Sequence, residues 1–224
     1  QAQMYADLVS MAKPVTKLSE MVHHPESLLR TLRRAIKVAM TPPMGPVYIC
    51  LPADVLDMPN NELVFPSSIP AVNSVADKAS IASIANVLML SREPRIFIGD
   101  GIHYSNGGSK AVTRLAEIVG ADIYGVDAGE ANVELSHRLY RGQTGHMFGE
   151  SSFPITSSPD AIFIAGTYMV PEVFPRLGDI YGSNSTVMHV DLDGDAIARN
   201  HRVVIPILAD PTQTFNEVSD FIEN

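Results

Sequence analysis

Glycine and aspartate residues recur in this sequence where short apolar runs end, and these are the residues that could bind a ligand. Glycine amides can lie against a pyrophosphate, and a carboxylate at a strand end can hold a ribose hydroxyl or an adenine amine. The pattern predicts a nucleotide site, with ordinary strand-to-loop turns that admit only small residues as the alternative. The candidate ligand-binding residues are Gly99, Asp100, Gly101, His146, Gly166, Thr167, Asp191 and Asp193.

The spacing of the glycines does not decide between these alternatives. A dinucleotide fingerprint requires G-x-G-x-x-G at the start of a helix. After Gly99 and Gly101 the next glycines are Gly107 and Gly108, so that spacing is absent.

Two carboxylates and one histidine could do further chemistry. Asp191 and Asp193 lie two residues apart at a predicted strand end, so their side chains could form an acid/base pair or bind a metal. Asp195 is the sole further acid nearby, and we assign neither a catalytic residue nor a metal site. His146 lies in the loop sequence G-Q-T-G-H-M-F-G and either touches a ligand or bonds to the local backbone.

Alternating apolar strands and amphipathic helices must position these residues. We predict strands at 95–98, 122–125, 161–165, 186–191 and 203–208, with an irregular segment at 132–149. Helices are predicted after Asp77 and Asn106 and at 211–222, with a helical turn at 195–199. This alternation predicts an α/β fold with a doubly wound, mostly parallel, Rossmann-like sheet. The candidate residues would then share the carboxyl edge of the sheet.

The first quarter of the chain has a different pattern. We predict an extended segment at 13–21, a helix at 25–40 and a strand at 47–51 buried on both faces. The helix carries four basic residues that could bind phosphate or form a solvated face. Residues 57–75 contain three prolines and no periodicity, which predicts a linker.

Composition limits the class of protein. The chain has 224 residues, 46% of them hydrophobic, and a net charge of −9. This charge argues against nucleic-acid or anionic-membrane partners. The single cysteine, Cys50, excludes a disulfide within the chain and fits the cytoplasm. Because the chain begins with Gln1 in the middle of a pattern, we expect it to be a piece of a longer polypeptide.

Several segments resemble the thiamine-diphosphate-dependent enzymes, such as acetohydroxyacid synthase and benzoylformate decarboxylase. Residues 39–55, which include P-P-M-G-P-V-Y-I-C-L-P-A-D-V, resemble the end of the family's pyrimidine-binding domain. From residue 76 onward the chain resembles the central domain, through R-I-F-I-G-D-G, R-G-Q-T-G-H-M-F-G, D-A-I-F-I-A-G and V-M-H-V-D-L-D-G-D-A-I-A-R-N. The resemblance implies residues 1–56 from the pyrimidine-binding domain, a linker at 57–75, and a central domain at 76–224.

The resemblance implies that the intact enzyme uses thiamine diphosphate and Mg²⁺ to decarboxylate or join 2-oxo acids. The family's cofactor-activating glutamate and metal-binding motif belong to segments outside this sequence, so the chain alone is expected to be inactive. Asp100 and Asn106 mimic the metal motif at too short a spacing. The remaining domains and further copies, in a dimer or tetramer, are the expected partners.

The family's central domain binds FAD or ADP in some members and nothing in others. Flavin binders of the synthase type carry an arginine after the glycine where this chain has Gly166-Thr167, so we expect a structural central domain and leave ADP open. The alternative is that the chain is a stand-alone module, either one that binds ADP, FAD or NAD or a regulatory one.

Overall fold

The computed structural model describes residues 6–72, 74–126, 128–144, 147, 149–169 and 172–224. The chain divides into two compact units, residues 1–71 and 72–224. The division falls within the segment predicted as a linker. In the described residues no helix combines the length and apolar character needed to cross a membrane.

Unit 1 is built on a parallel strand pair. Its α-helices and strands are α1 (Leu8–Ala12), β1 (Leu18–Met21), α2 (Leu28–Met40), β2 (Val47–Cys50) and α3 (Ala53–Leu56), with 3₁₀ turns at Lys13–Val15 and Pro25–Ser27. β1 pairs with β2 in parallel, with Leu18 opposite Val47. α2 therefore serves as the crossover of a β-α-β unit.

Two expectations for unit 1 need correction. The extended segment begins at Leu18, because Lys13–Val15 forms a 3₁₀ turn that ends before the strand. The strand at 47–50 is half-buried rather than buried on both faces. Within the described part of unit 1, β2 has one paired neighbour, so a two-stranded sheet cannot enclose its apolar side chains.

Unit 2 contains a six-stranded parallel sheet. Its strands are β3 (Pro94–Ile98), β4 (Asp122–Val126), β5 (Tyr140–Thr144), β6 (Ala161–Ala165), β7 (Thr186–Asp191) and β8 (Ile205–Leu208). They lie in the order β5-β4-β3-β6-β7-β8, and every pair is parallel. The predicted doubly wound, Rossmann-like sheet is confirmed.

The helices of unit 2 cover the sheet unequally. They are α4 (Lys78–Leu90), α5 (Gly108–Val119), α6 (Gly149–Ser157) and α7 (Pro211–Glu223). α4, α5 and α7 pack on one face through the larger apolar core, which includes Ile84, Leu115 and Phe215. The opposite face has a smaller core around Phe97 and Ile164, against which α6 packs Ile155. Asp77 caps α4 as predicted, because its carboxylate accepts bonds from two amides of the first turn.

The segment predicted to be irregular contains an edge strand. β5 has the sequence Y-R-G-Q-T, and Gly142 within it has φ +111°. Its pairing with β4 shifts register between Ile123 and Gly125. A polar edge strand with a left-handed glycine lacks the apolar run that identifies buried strands, which explains the error.

Candidate functional site

The candidate residues lie at the point where the strand order of unit 2 reverses. The chain runs outward from β3 to β5 and then returns to place β6 beside β3. Ligands of open parallel sheets bind beside the carboxyl ends of the strands at such a switch point. Ile98 pairs with Ala165 there, so the turns that follow these two strands meet.

A cleft of about 230 Å³ collects seven of the eight candidate residues. They are Gly99, Asp100, Gly101, Gly166, Thr167, Asp191 and Asp193. The eighth, His146, lies outside the described residues. Whether the seven bind a cofactor stays a prediction.

Close contact between two turns explains the glycines. A Cβ placed on Gly101 would lie 2.6 Å from the Cα of Gly166, and one placed on Gly99 would lie 2.5 Å from the Cβ of Thr167. Gly166 has φ +66°, a conformation that favours glycine. The turns after β3 and β6 therefore interlock at a distance that no side chain tolerates.

The amides of these glycines already have partners. Gly99 N donates to Ala165 O at 3.1 Å, and Gly101 N donates to Gly166 O at 2.9 Å. Gly166 N donates to Val190 O at 3.1 Å. These bonds extend the strand ladders beyond β3 and β6 and hold the interlocked turns together.

Asp100 is held by three N–H donors. Its carboxylate accepts bonds from Gly129 N at 3.0 Å, Glu130 N at 3.2 Å and Asn132 Nδ2 at 3.1 Å. These bonds fasten the loop after β4 to the turn after β3. A carboxylate so occupied is a poor Mg²⁺ ligand, which agrees with our rejection of the metal motif at this position.

Asp191 and Asp193 both line the cleft, as their spacing predicts. Asp191 is 2% exposed, and its Oδ1 accepts a bond from Asp193 N at 2.7 Å. Burial, together with the charge of Asp193, raises the pKa of Asp191 to about 6. Asp193 in turn accepts a bond from Asp195 N at 3.0 Å. Among the described residues no group of three or more His, Cys, Asp or Glu side chains could hold a metal ion.

Two tyrosines of the cleft escaped the sequence analysis. Tyr104 and Tyr168 both line it. Burial raises the pKa of Tyr104 to about 12, with further contributions from the charges of Asp191, Asp193 and Asp100. The guanidinium of Arg199 lies 4.9 Å from the centre of the Tyr168 ring. Tyr104 follows the glycine turn and Tyr168 follows Thr167, so their adjacency to candidate residues was the available signal.

His189 supports the wall of the cleft from inside the sheet. It is 2% exposed, its Nε2 lies 2.8 Å from Thr167 O, and its Nδ1 accepts a bond from Ala198 N at 3.4 Å. Since Nδ1 accepts, Nε2 carries the proton and donates to Thr167. Burial lowers the pKa of His189 to about 4, so this neutral tautomer persists at pH 7. Its position between Met188 and Val190 in β7 gave no sign of these bonds.

The paired histidines and the basic helix residues of unit 1 are surface features. His23 and His24 are both exposed. Among the basic residues of α2, Arg33 pairs with Glu62 and Arg34 pairs with Glu20. These pairs favour a solvated, charged helix face over a phosphate site.

The described residues do not fit thiamine diphosphate or its metal. The acids of the cleft would repel a diphosphate, and the Asp100 carboxylate already accepts three N–H bonds. We derive no step of a reaction through that cofactor from this chain.

Comparison with known proteins identifies the family. Residues 81–218 match the family model described as thiamine pyrophosphate enzyme, central domain. The chain is 28% identical over 223 residues to a probable acetolactate synthase large subunit of Methanocaldococcus jannaschii, covering 95% of this chain and 36% of that protein. It is 26% identical over 223 residues to the acetolactate synthase isozyme 3 large subunit of Escherichia coli, covering 96% of this chain and 38% of that protein. The chain thus spans little more than a third of these relatives.

Solved structures share the fold. The benzoylformate decarboxylase of Polynucleobacter necessarius has a TM-score of 0.79 at 22% identity, covering 96% of this chain and 40% of that one. A thiamine diphosphate-dependent 4-hydroxybenzoylformate decarboxylase of Rhodococcus jostii has a TM-score of 0.79 at 18% identity, covering 97% of this chain and 41% of that one. With its parallel sheet and the family match over residues 81–218, this chain belongs to the thiamine-diphosphate-dependent enzymes and contains their central domain.

Proposed function

We propose that this chain is the central part of a larger thiamine-diphosphate-dependent enzyme. The enzyme decarboxylates a 2-oxo acid or joins it to a second carbonyl compound, and is a lyase or a transferase. The match of residues 81–218 to the family's central domain carries this proposal. The greater length of the relatives supports it, because this chain covers 36% and 38% of two acetolactate synthase subunits.

The chain serves this enzyme as a structural part. Residues 1–56 complete a pyrimidine-binding domain, and residues 76–224 form the central domain. Residues 57–75 are the linker between them. Thiamine diphosphate and Mg²⁺ bind to other parts of the enzyme. The interlocked turns at Gly101 and Gly166 support a rigid domain that positions its neighbours. The enzyme works in the cytoplasm as a homo-oligomer, a dimer or a tetramer.

The alternative of a stand-alone nucleotide-binding or regulatory module has less support. Its candidate residues do meet in one cleft. However, β1 and β2 form a two-stranded sheet with half-buried faces, as expected for part of a larger domain. An independent module would instead be expected to cover such faces.

The native protein tests the proposal. An immunoblot of source cells with an antibody to this chain should detect a species of at least three domains of roughly 150 residues each. That species, purified and supplied with thiamine diphosphate and Mg²⁺, should decarboxylate or condense a member of a panel of 2-oxo acids. The isolated 224-residue chain is the control and should be inactive. A native species no larger than this chain, or full activity of the isolated chain, would contradict the proposal.

A further inference from the structure

We propose that the strand-end cleft of unit 2 excludes nucleotides that carry a diphosphate, so ADP, NAD and FAD do not bind there. The cleft is the switch-point site at which an open parallel sheet would bind such nucleotides. This inference rests on the proposed function, since it specifies which kind of central domain the chain contains. Three independent features of the cleft carry it.

The first feature is that the three glycine amides of these turns are already bonded. A glycine-rich turn binds pyrophosphate by directing free backbone N–H groups at the phosphate oxygens. Here Gly99 N, Gly101 N and Gly166 N donate to backbone carbonyl oxygens at 2.9–3.1 Å. A diphosphate would have to break bonds that hold the two turns together.

The second feature is the position of the helix that follows β3. In a dinucleotide site, the helix N-terminus comes directly after the glycine turn and faces the pyrophosphate. Here a 3₁₀ turn at Asp100–His103 intervenes, and α5 begins at Gly108. A Cβ on Gly108 would lie 2.0 Å from Ile102 O, so this helix start is packed against the protein. Its residues are not among those that line the cleft.

The third feature is the charge of the lining. Asp100, Asp191 and Asp193 all face the cleft, and none of its described lining residues is basic. Arg199, the cation stacked on Tyr168, is not among the lining residues, and its Nε donates to Asp195 O at 2.9 Å. A diphosphate would therefore meet carboxylates without a compensating cation.

The size of the cleft agrees with these features. Its volume of about 230 Å³ lies below the range of about 300–1,000 Å³ that is typical of small-molecule sites. A flavin dinucleotide would need the turns to separate, which their close contact at Gly101 and Gly166 opposes.

Titration of the full chain with ADP, NAD and FAD, each to millimolar concentration, tests the proposal by calorimetry and by thermal shift. We expect no saturable heat and no increase in Tm with any of the three. Saturable binding that changes in affinity on Asp191→Ala, or is lost on Thr167→Trp, would overturn the proposal. Binding that survives this change and Thr167→Trp lies outside the cleft and agrees with the proposal. Nucleotide binding in the cleft would leave the family assignment intact, so the two proposals fail separately.

A pair of charge variants tests whether carboxylates within the cleft, rather than the net charge of the chain, exclude the diphosphate. Asp193→Asn removes a carboxylate from the cleft lining, and Asp195→Asn makes the same change in net charge outside it. Weak ADP association, followed by ligand-observed NMR, should rise about two- to fivefold with Asp193→Asn, as expected for one charge removed near a solvated phosphate. It should not change with Asp195→Asn. Equal effects of the two changes would overturn the local explanation.

Discussion

His189, in β7, donates a hydrogen bond of 2.8 Å from Nε2 to the backbone oxygen of Thr167, in the turn after β6. Its other nitrogen accepts a bond from Ala198 N, in the turn after β7. A single buried side chain thus ties the turn after β6 to the turn after β7.

Replacing this histidine should destabilise unit 2. We expect His189→Ala to lower the free energy of unfolding by about 2–4 kcal/mol, because it leaves a cavity in the core and removes the partner of two backbone groups. The matched control is His103→Ala, which removes an exposed histidine from the same unit and should change stability by less than about 0.5 kcal/mol. Urea unfolding measures both. Similar values for the two variants would contradict the structural role of His189.

The pH dependence of stability should reveal two opposing groups on β7. The pKa of His189 falls from 6.5 to about 4 on folding, so its contribution to stability is present above pH 6.5 and is lost as the pH falls toward 4. The pKa of Asp191 rises from 3.8 to about 6, so its contribution is present below pH 3.8 and is lost as the pH rises toward 6. Between pH 4 and 6 the two slopes oppose each other.

Single variants should separate these slopes. The Asp191→Asn variant lacks the opposing carboxylate and should therefore show the full contribution of His189. Its free energy of unfolding should rise by on the order of 3 kcal/mol between pH 4 and 6.5. In His189→Asn, it should fall over pH 4–6 by a similar amount. Chemical unfolding across this pH range measures both, and a slope that is the same in the two variants would exclude this assignment.

The sequence predicted the buried part of unit 2 well. The strands that became β6 and β7 have the predicted bounds, because A-I-F-I-A is an apolar run and T-V-M-H-V-D has an apolar centre, and both strands are almost fully buried. β5 was missed because its stability comes from pairing with β4 at the edge of the sheet, a long-range contact that its own polar sequence does not encode.

The location of the candidate site could be predicted from the sequence, but the hydrogen bonds within it could not. Strand-end residues of a parallel sheet must share one edge, so the meeting of Gly101, Gly166 and Asp191 followed from the pattern. The partners of the glycine amides, and the bond from His189 to Thr167, depend on how the turns cross. That crossing is tertiary geometry, which spacing along the chain does not specify.

Adding one methyl group at the crossing should be costly. In Gly101→Ala the new Cβ would meet the backbone of Gly166 at 2.6–2.9 Å, so we expect a loss of about 2–4 kcal/mol in the free energy of unfolding. Gly194→Ala is the control, since the nearest atom to its Cβ would be Leu208 Cδ1 at 3.9 Å. Its effect should be below about 0.5 kcal/mol. Equal stability of the two variants, measured by urea unfolding without nucleotide, would refute the packing explanation of the glycines.

Removing the hydroxyl of Tyr181 should stabilise the protein. Tyr181 is 5% exposed, and its hydroxyl has no hydrogen-bond partner among the described residues. A buried hydroxyl without a partner costs about 1–3 kcal/mol, so Tyr181→Phe should raise the free energy of unfolding by about 1 kcal/mol. Thr156→Val provides the contrast, because the buried Thr156 hydroxyl donates to Ile180 O at 2.8 Å and its loss should cost about 1–2 kcal/mol. Opposite signs in thermal unfolding are therefore expected, and a Tyr181→Phe protein that melts below the parent would mean that the hydroxyl has a partner in the folded state.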